Sequence, residues 1–329
     1  MKCVRVELKQ AEKIRVRLLK LGVFDKDHKI VRDNKYVYFP VIKPVEGFDI
    51  MDKKLEKRDS KLTLEGVLKN KMNKKEFGLL KRAYDVVGGI AILEINRELL
   101  DKRKVIAEAL LKVNRNIKTV VKKSGGHEGN HRIQKYEFLV GKKSFETLCK
   151  ENGIILKLDI RKVYFSPRLS HERLRVAKLV KEGEDVLIMF SGISPYDITI
   201  AKHSKANEIY GIEINKDAYK YAKENLKLNT VNKVKLFCGD VKKVLPKLGK
   251  KFDRVIMPLP KTAGLFLGVA LKALKKNGII HFYCFSEEEN AEDIIKVLKG
   301  KAKVKILDVV KCGQSKPKVF RYCIDFKVF

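Results

Sequence analysis

From residue 163 onward the chain alternates short apolar runs with helix-like stretches, and this pattern constrains the fold more than any other feature. Strands are expected at 185–190 (DVLIMF), 207–213 (NEIYGIE), 233–238, 252–257 (FDRVIM), 278–285 (GIIHFYCF), 303–310 and 318–327. Helices fit between them, at about 195–204, 216–228, 262–275 and 287–299. Strand–helix alternation of this kind implies a doubly wound, mostly parallel α/β sheet. No clear helix separates the last two strands, so one of them is expected to run antiparallel.

Two further units precede it. In residues 1–43, KCVRVEL alternates as a strand, QAEKIRVRLLKLG has helical spacing ending at Gly22, and KIVRDNKYVYFPVI reads as a hairpin turning at Asp33-Asn34. Residues 44–82 are charge-dense and read as a linker with short helices. An apolar strand at 84–95, a helix at 97–114 and strands near 117–122, 131–140 and 153–159 suggest an α+β module. The expected domains are a small N-terminal α/β domain (1–65), a middle α+β domain (75–162) and the doubly wound domain (163–329).

The 73 Lys and Arg against 40 Asp and Glu leave a net charge of +33, spread along the chain. Such a balance favours a polyanionic partner through phosphate contacts and counterion release, although a general lysine-rich bias would produce the same number. The chain has no tryptophan, so base stacking would fall to Tyr, Phe, His or Arg. No stretch reaches the ~20 apolar residues of a membrane span, and MKCVRVELKQ lacks a signal-peptide core. Six scattered cysteines without a C-x-x-C pair point to reduced, mostly structural thiols in a cytoplasmic protein.

Three strand ends carry a cofactor signature in chain order. The first ends in MFSGISPYDI (189–198), where a glycine lets backbone approach a ligand and Pro195 can begin a helix. About twenty residues later the second ends in Glu213, the position from which an acid binds ribose hydroxyls. The third ends in CGD, where Asp240 can reach an adenine amino group. A single glycine makes a poor phosphate cradle, so a ribose-bearing, phosphate-free cofactor such as S-adenosylmethionine fits better. The fourth strand ends in IMPLPK (256–261), whose two prolines must end the ladder.

Two other stretches need weighing. HEGNH (127–131) satisfies the H-E-x-x-H zinc pattern, but its glycines read as a turn rather than a helix, and no metal is expected. RKVYFSPRLSHERLRVAKLV (161–180) interleaves basic and aromatic residues and continues as a helix with Ser170 as a candidate N-cap. An ordinary amphipathic helix with solvated charges would look the same.

YDVVGGIAIL, HEGNHRI, KENG, KVYFSPRLSHER and MFSGISPY…EIN, in order over residues 84–327, resemble the archaeal and eukaryotic tRNA guanosine-37 N1-methyltransferases. The resemblance implies a class I methyltransferase domain using S-adenosylmethionine, behind a tRNA-binding N-terminal domain and a middle domain. It makes Glu172 the general base and Arg132 the cation that steadies charge on the purine O6. Phe190, Gly192, Ile193, Glu213, Asp240 and Pro258 fall at cofactor positions, and Tyr164, Arg168, Arg173, Pro260 and Lys261 at target-base or tRNA positions. The implied partner is the anticodon stem-loop of a tRNA, with tRNA-Phe the leading candidate, bound by a monomer.

The chain departs from the family pattern at Ile188, where an aspartate is usual, at Ser194 for a glycine, at Gln134 for an arginine, and at Pro258 in PLPK, where NLPK is usual. One archaeal branch also lacks that asparagine and methylates C7 of 4-demethylwyosine, giving isowyosine, with or without guanosine N1 activity. A carbon nucleophile in a tricyclic base needs no amide at N1. The chain is therefore expected to stand closest to that branch, with N1 methylation, C7 methylation or both still open. Aminocarboxypropyl transfer to the wyosine precursor, which FSPRL argues against, and a non-catalytic tRNA-binding role are the alternatives.

Overall fold

The computed structural model describes residues 1–57, 62–128, 133–287 and 291–329. These fall into two compact units, Met1–Asn70 and Lys71–Phe329.

In the first unit, β1 (Lys2–Glu7), α1 (Ala11–Lys20), β2 (Val31–Arg32), β3 (Tyr36–Pro40) and β4 (Ile50–Asp52) follow in order, with α2 (Leu64–Leu68) after them. The strands form a sheet in the order β2-β3-β1-β4, antiparallel throughout. The Asp33-Asn34 turn closes the β2–β3 hairpin as expected. Asp33 accepts the Lys35 and Tyr36 amides at 2.9 and 2.8 Å and the Tyr38 hydroxyl at 2.5 Å. These bonds, the tyrosine's foremost, pull its carboxyl down to about 2. β4 lies inside the stretch read as a linker; only three residues long, it is held by pairing to β1 rather than by its own periodicity.

The second unit begins with α3 (Lys74–Leu79), β5 (Asp85–Val87), β6 (Ile90–Leu93), α4 (Arg103–Val113), β7 (Thr119–Glu128), β8 (Ile133–Gly141), β9 (Glu146–Glu151) and β10 (Ile154–Asp159). The run expected as one strand over 84–95 is a hairpin. Gly88, at φ +55°, turns it against β9, where a Cβ would lie 2.2 Å from the Leu148 carbonyl oxygen. The sheet order is β5-β6-β7-β8, with α4 crossing between the parallel pair β6 and β7, while β9 and β10 form a separate hairpin. β9 has no counterpart in the sequence reading, because its largely polar run ETLCKE shows little apolar periodicity.

The remaining elements are α5 (Ser170–Leu179), β11 (Val186–Met189), α6 (Pro195–His203), β12 (Ile209–Glu213), α7 (Lys216–Leu228), β13 (Val234–Cys238), α8 (Val241–Val244), β14 (Phe252–Met257), α9 (Leu267–Ala273), β15 (Leu274–Glu287), α10 (Ala291–Lys301), β16 (Val304–Lys316) and β17 (Val319–Val328). They build a seven-stranded sheet, β13-β12-β11-β14-β15-β17-β16. The first five strands are parallel, and β17 runs antiparallel to both β15 and β16. This is the doubly wound α/β class I fold. β11 shows why the strands read as unbroken apolar runs: Leu187 and Met189 enter one buried cluster, Val186 and Ile188 another on the opposite face. Ser170 is the first helical residue of α5 and makes no side-chain cap; a 3₁₀ turn at Pro167–Leu169 leads into it instead. The strand order reverses between β11 and β14, and the crevice of such a sheet opens at the carboxyl ends there.

Candidate active site at the carboxyl edge of the sheet

The loop after β11 is tightly wound. Phe190, Gly192 and Ser194 all have positive φ, at 64°, 60° and 66°. Ser194 adopts the left-handed conformation at the position where the family pattern has glycine, at a cost of roughly 1–2 kcal/mol. The turn aims the Gly192 amide at Glu213 Oε2, 2.7 Å away, while Glu213 Oε1 accepts the Asn215 amide at 2.7 Å. Glu213 thus ties the first loop to the start of α7.

Beneath the loop, Asp197 is fully buried and accepts the Ser191 hydroxyl at 2.7 Å through Oδ2, while its Oδ1 has no partner. Burial pushes its carboxyl up to about 7, with the charge on Glu213 adding to the effect and the serine bonds opposing it.

A cavity of about 450 Å³ opens over the strand ends, bounded by Phe190, Gly192, Glu213, Asp240, Pro258 and Lys261, with Tyr164 on its wall. Asp240 also caps α8 by accepting the Lys242 amide at 2.8 Å. Phe266 lines the same cavity and meets Phe190 edge-to-face at 4.8 Å between centroids, with the Lys242 ammonium 4.9 Å above its ring. Phe266, Leu265 and Ile214 were not singled out in the sequence. They follow strand ends at no fixed offset, so only the fold brings them to the cavity.

Glu172 is not among the residues bounding this cavity. It is buried, with its Oε1 accepting the Tyr283 hydroxyl at 2.6 Å and both oxygens held by the Arg175 fork at 2.7 and 2.8 Å. Arg175 also reaches Asp325 at 2.7 Å, Asp325 meets His281 Nδ1 at 2.6 Å, and His281 Nε2 meets Arg254, which is forked on Glu184. Burial disfavours the charge on Asp325, but its bonds from His281 and Arg175 outweigh that and hold the carboxyl below the usual range. Burial pushes His281 down, and Arg254 and Arg175 reinforce the shift. The atoms of His281, Cys323 and Asp325 converge within 4.8 Å, but two flanking guanidiniums make the cluster a hydrogen-bonded network rather than a cation site.

The other anticipated residues separate. Arg168 is exposed and pairs with Asp85 at 2.6 Å. Arg173 is almost fully buried, its fork spent on Glu151 at 2.6 and 2.5 Å, so it ties α5 to β9. Ile193 is buried in the core shared with the middle module, and Pro260 is buried without bounding the cavity. Arg132 lies outside the described residues, as does most of the HEGNH turn; His127 and Glu128 belong to strand β7.

Comparison with known proteins identifies the family. Residues 147–310 match the TRM5/TYW2 methyltransferase domain, residues 64–144 the TYW2 N-terminal domain and residues 3–49 the tRNA methyltransferase 5 N-terminal domain. The chain is 38% identical to the tRNA (guanine(37)-N(1))-methyltransferase Trm5b of Pyrococcus abyssi, over 99% of this chain and 98% of that one. It is 34% identical to the tRNA (guanine(37)-N(1))/4-demethylwyosine(37)-methyltransferase Taw22 of Nanoarchaeum equitans, over 65% of this chain and 87% of that one. Among solved structures, the complex of aTrm5 and tRNALeu superposes with a TM-score of 0.75 at 33% identity, covering 100% of both chains. Pyrococcus horikoshii TYW2 in complex with MeSAdo gives 0.67 at 28% identity, covering 81% of this chain and 98% of that one. On full-length similarity to Trm5b and on the domain matches, this chain belongs to the TRM5/TYW2 methyltransferase family.

Proposed function

We propose that the protein is an S-adenosylmethionine-dependent tRNA methyltransferase acting on the purine at position 37, beside the anticodon. The observation that carries this reading is the cavity between the Gly192 loop, Glu213, Asp240 and the PLPK turn. In this reading Glu213, braced by two amides, takes the ribose hydroxyls, Asp240 an adenine edge, and Phe190 with Phe266 the apolar ring faces. The absence of a glycine-rich phosphate cradle suits a nucleoside without phosphates. S-adenosylmethionine, when bound there, supplies an electrophilic methyl group.

The chain's own residues then have to present the acceptor and manage one proton. A nucleotide beside the anticodon is single-stranded and can be turned out of its stack at modest cost. Pro258, Lys261 and Tyr164 also bound the cavity, and this reading gives them the acceptor base. Glu172 is the proton acceptor in this reading and Arg132 the cation for the purine oxygen; because Glu172 is buried under Arg175 and Tyr283 and does not bound the cavity, the reading requires tRNA binding to open that contact. Arg175 is shared between Glu172 and Asp325, so it keeps a carboxylate partner when Glu172 is neutralised. The tRNA complex of the structural relative and the net charge of +33 support an RNA partner. The anticodon stem-loop of tRNA-Phe, a monomeric enzyme and a cytoplasmic site complete the proposal.

N1 of guanosine is the first choice of acceptor atom, because the relative matched over its full length carries that activity in its name. Pro258 supports C7 of 4-demethylwyosine as a second reading, and Taw22 combines both activities in its name. Mass spectrometry after reaction with unmodified tRNA-Phe, and separately with tRNA carrying 4-demethylwyosine, decides between them. Product on the unmodified transcript alone removes the tricyclic reading, and product on the tricycle alone removes the guanosine one.

A further inference from the structure

Arg321 stands apart from the other buried or half-buried arginines of the methyltransferase domain. Arg173 is forked on Glu151, Arg175 on Glu172 and Asp325, and Arg254 on Glu184. Arg321 has no carboxylate partner among the described residues. Its Nε is buried without an acceptor, its Nη2 donates to the Tyr164 hydroxyl at 3.3 Å, and its guanidinium carbon sits 5.3 Å from the centre of the Phe285 ring. One hydroxyl and one ring face compensate only in part for the desolvation of a half-buried guanidinium that has no counter-ion among the described residues. Its rigid fork is suited to an oxyanion.

Position says which oxyanion. The ladder between β14 and β15 ends at Met257 and Phe282, whereas Arg321 is paired with Phe285, three residues further along. At about 3.3 Å per residue, Arg321 stands roughly 10 Å beyond the edge from which the PLPK turn departs. β17 is also three strands from β11, or about 14 Å across the sheet, so Arg321 lies away from the ends of β11 and β12 that hold Gly192 and Glu213. Its link to the cavity is Tyr164, on the wall. We infer that Arg321 is a phosphodiester clamp for the acceptor nucleotide: its guanidinium holds the backbone phosphate of the purine that enters beside Tyr164. The inference rests on the tRNA reading above and extends it to the residue that would fix the flipped nucleotide.

The test uses the full chain with Arg321→Met, which keeps apolar length over Phe285, and Arg321→Lys, which keeps the charge. Affinity for unmodified tRNA-Phe is measured across a salt series, and affinity for S-adenosylmethionine by calorimetry. Arg321→Met should weaken tRNA binding at least fivefold at low salt and flatten the log–log salt slope by roughly 0.7, the value of one single-strand phosphate contact. Arg321→Lys should recover the slope, and S-adenosylmethionine affinity should stay within twofold in both variants. An unchanged slope in Arg321→Met, with the wild type binding tRNA normally, overturns this inference alone. Loss of S-adenosylmethionine affinity with tRNA binding intact assigns the arginine to the cofactor's carboxylate and overturns it as well. No tRNA binding by the wild type would overturn the functional reading and the inference together.

Discussion

Tyr283 donates its hydroxyl proton to Glu172 across 2.6 Å, joining the fifth parallel strand to the helix that enters the domain. The same hydroxyl accepts from Tyr196 at 2.9 Å, and Arg175 closes the group by gripping both carboxylate oxygens. Glu172 is therefore held by residues of one strand and two helices.

Glu172→Gln is expected to lower turnover by more than tenfold, in line with losing a proton acceptor, with tRNA affinity nearly unchanged. Melting should show a loss of about 1–3 kcal/mol, because Arg175 keeps Asp325 while one of its bonds to Glu172 is lost. Steady-state kinetics and tRNA binding on the same preparation check this. Reduced affinity with normal turnover would make Glu172 structural.

Glu213→Ala removes the acceptor of the Gly192 and Asn215 amides together with the proposed ribose contact. S-adenosylmethionine affinity should fall by about 10–100-fold, the value of one or two charge-assisted bonds. Calorimetry measures it directly, and tRNA binding should be unaffected.

Asp197 gives a pH signature. Its carboxyl is pushed up to about 7 in the fold, against roughly 3.9 when unfolded. Between those values the folded state keeps a proton that the unfolded state has released. Its contribution to stability is therefore fully present below about pH 4, and is lost as pH rises towards 7. Asp197→Asn lacks this dependence. Its melting temperature relative to wild type should climb from pH 4 to pH 7 and then level, with ~4 kcal/mol as the ceiling. A constant difference across that range would show that Asp197 is ionised in the fold.

Pro258→Asn restores the amide of the usual family pattern at the cavity rim. Activity on guanosine should rise relative to activity on 4-demethylwyosine, read as the ratio of kcat/KM on the two tRNAs. An unchanged ratio would remove Pro258 as the determinant of acceptor choice.

Five of the six residues expected at cofactor positions bound the cavity, because they sit at or just beyond the end of an apolar strand, where periodicity fixes position; the sixth, Ile193, is in the core. The turn at Gly192 and the acid at Glu213 come from consecutive strands, and a 2.7 Å bond joins them. The surroundings of Glu172 were not legible, since Tyr283 lies 111 residues away and Arg175 finds Asp325 across 150. Arg173 read as an RNA contact because a basic helix gives no sign that Glu151, on an unanticipated strand, takes its fork. The split of 84–95 into β5 and β6 was hidden for a related reason. Gly88-Gly89 interrupts an apolar run without changing its hydrophobicity, and the turn is locked by the distant Leu148 and Thr147.

The central claim is methyl transfer to position 37. Purified protein, tRNA-Phe transcript and S-adenosylmethionine labelled in its methyl group should yield a single labelled nucleoside, mapped by nuclease digestion and mass spectrometry to position 37, with S-adenosylhomocysteine as co-product. Label at another position, or methylthioadenosine in place of S-adenosylhomocysteine, would contradict the account.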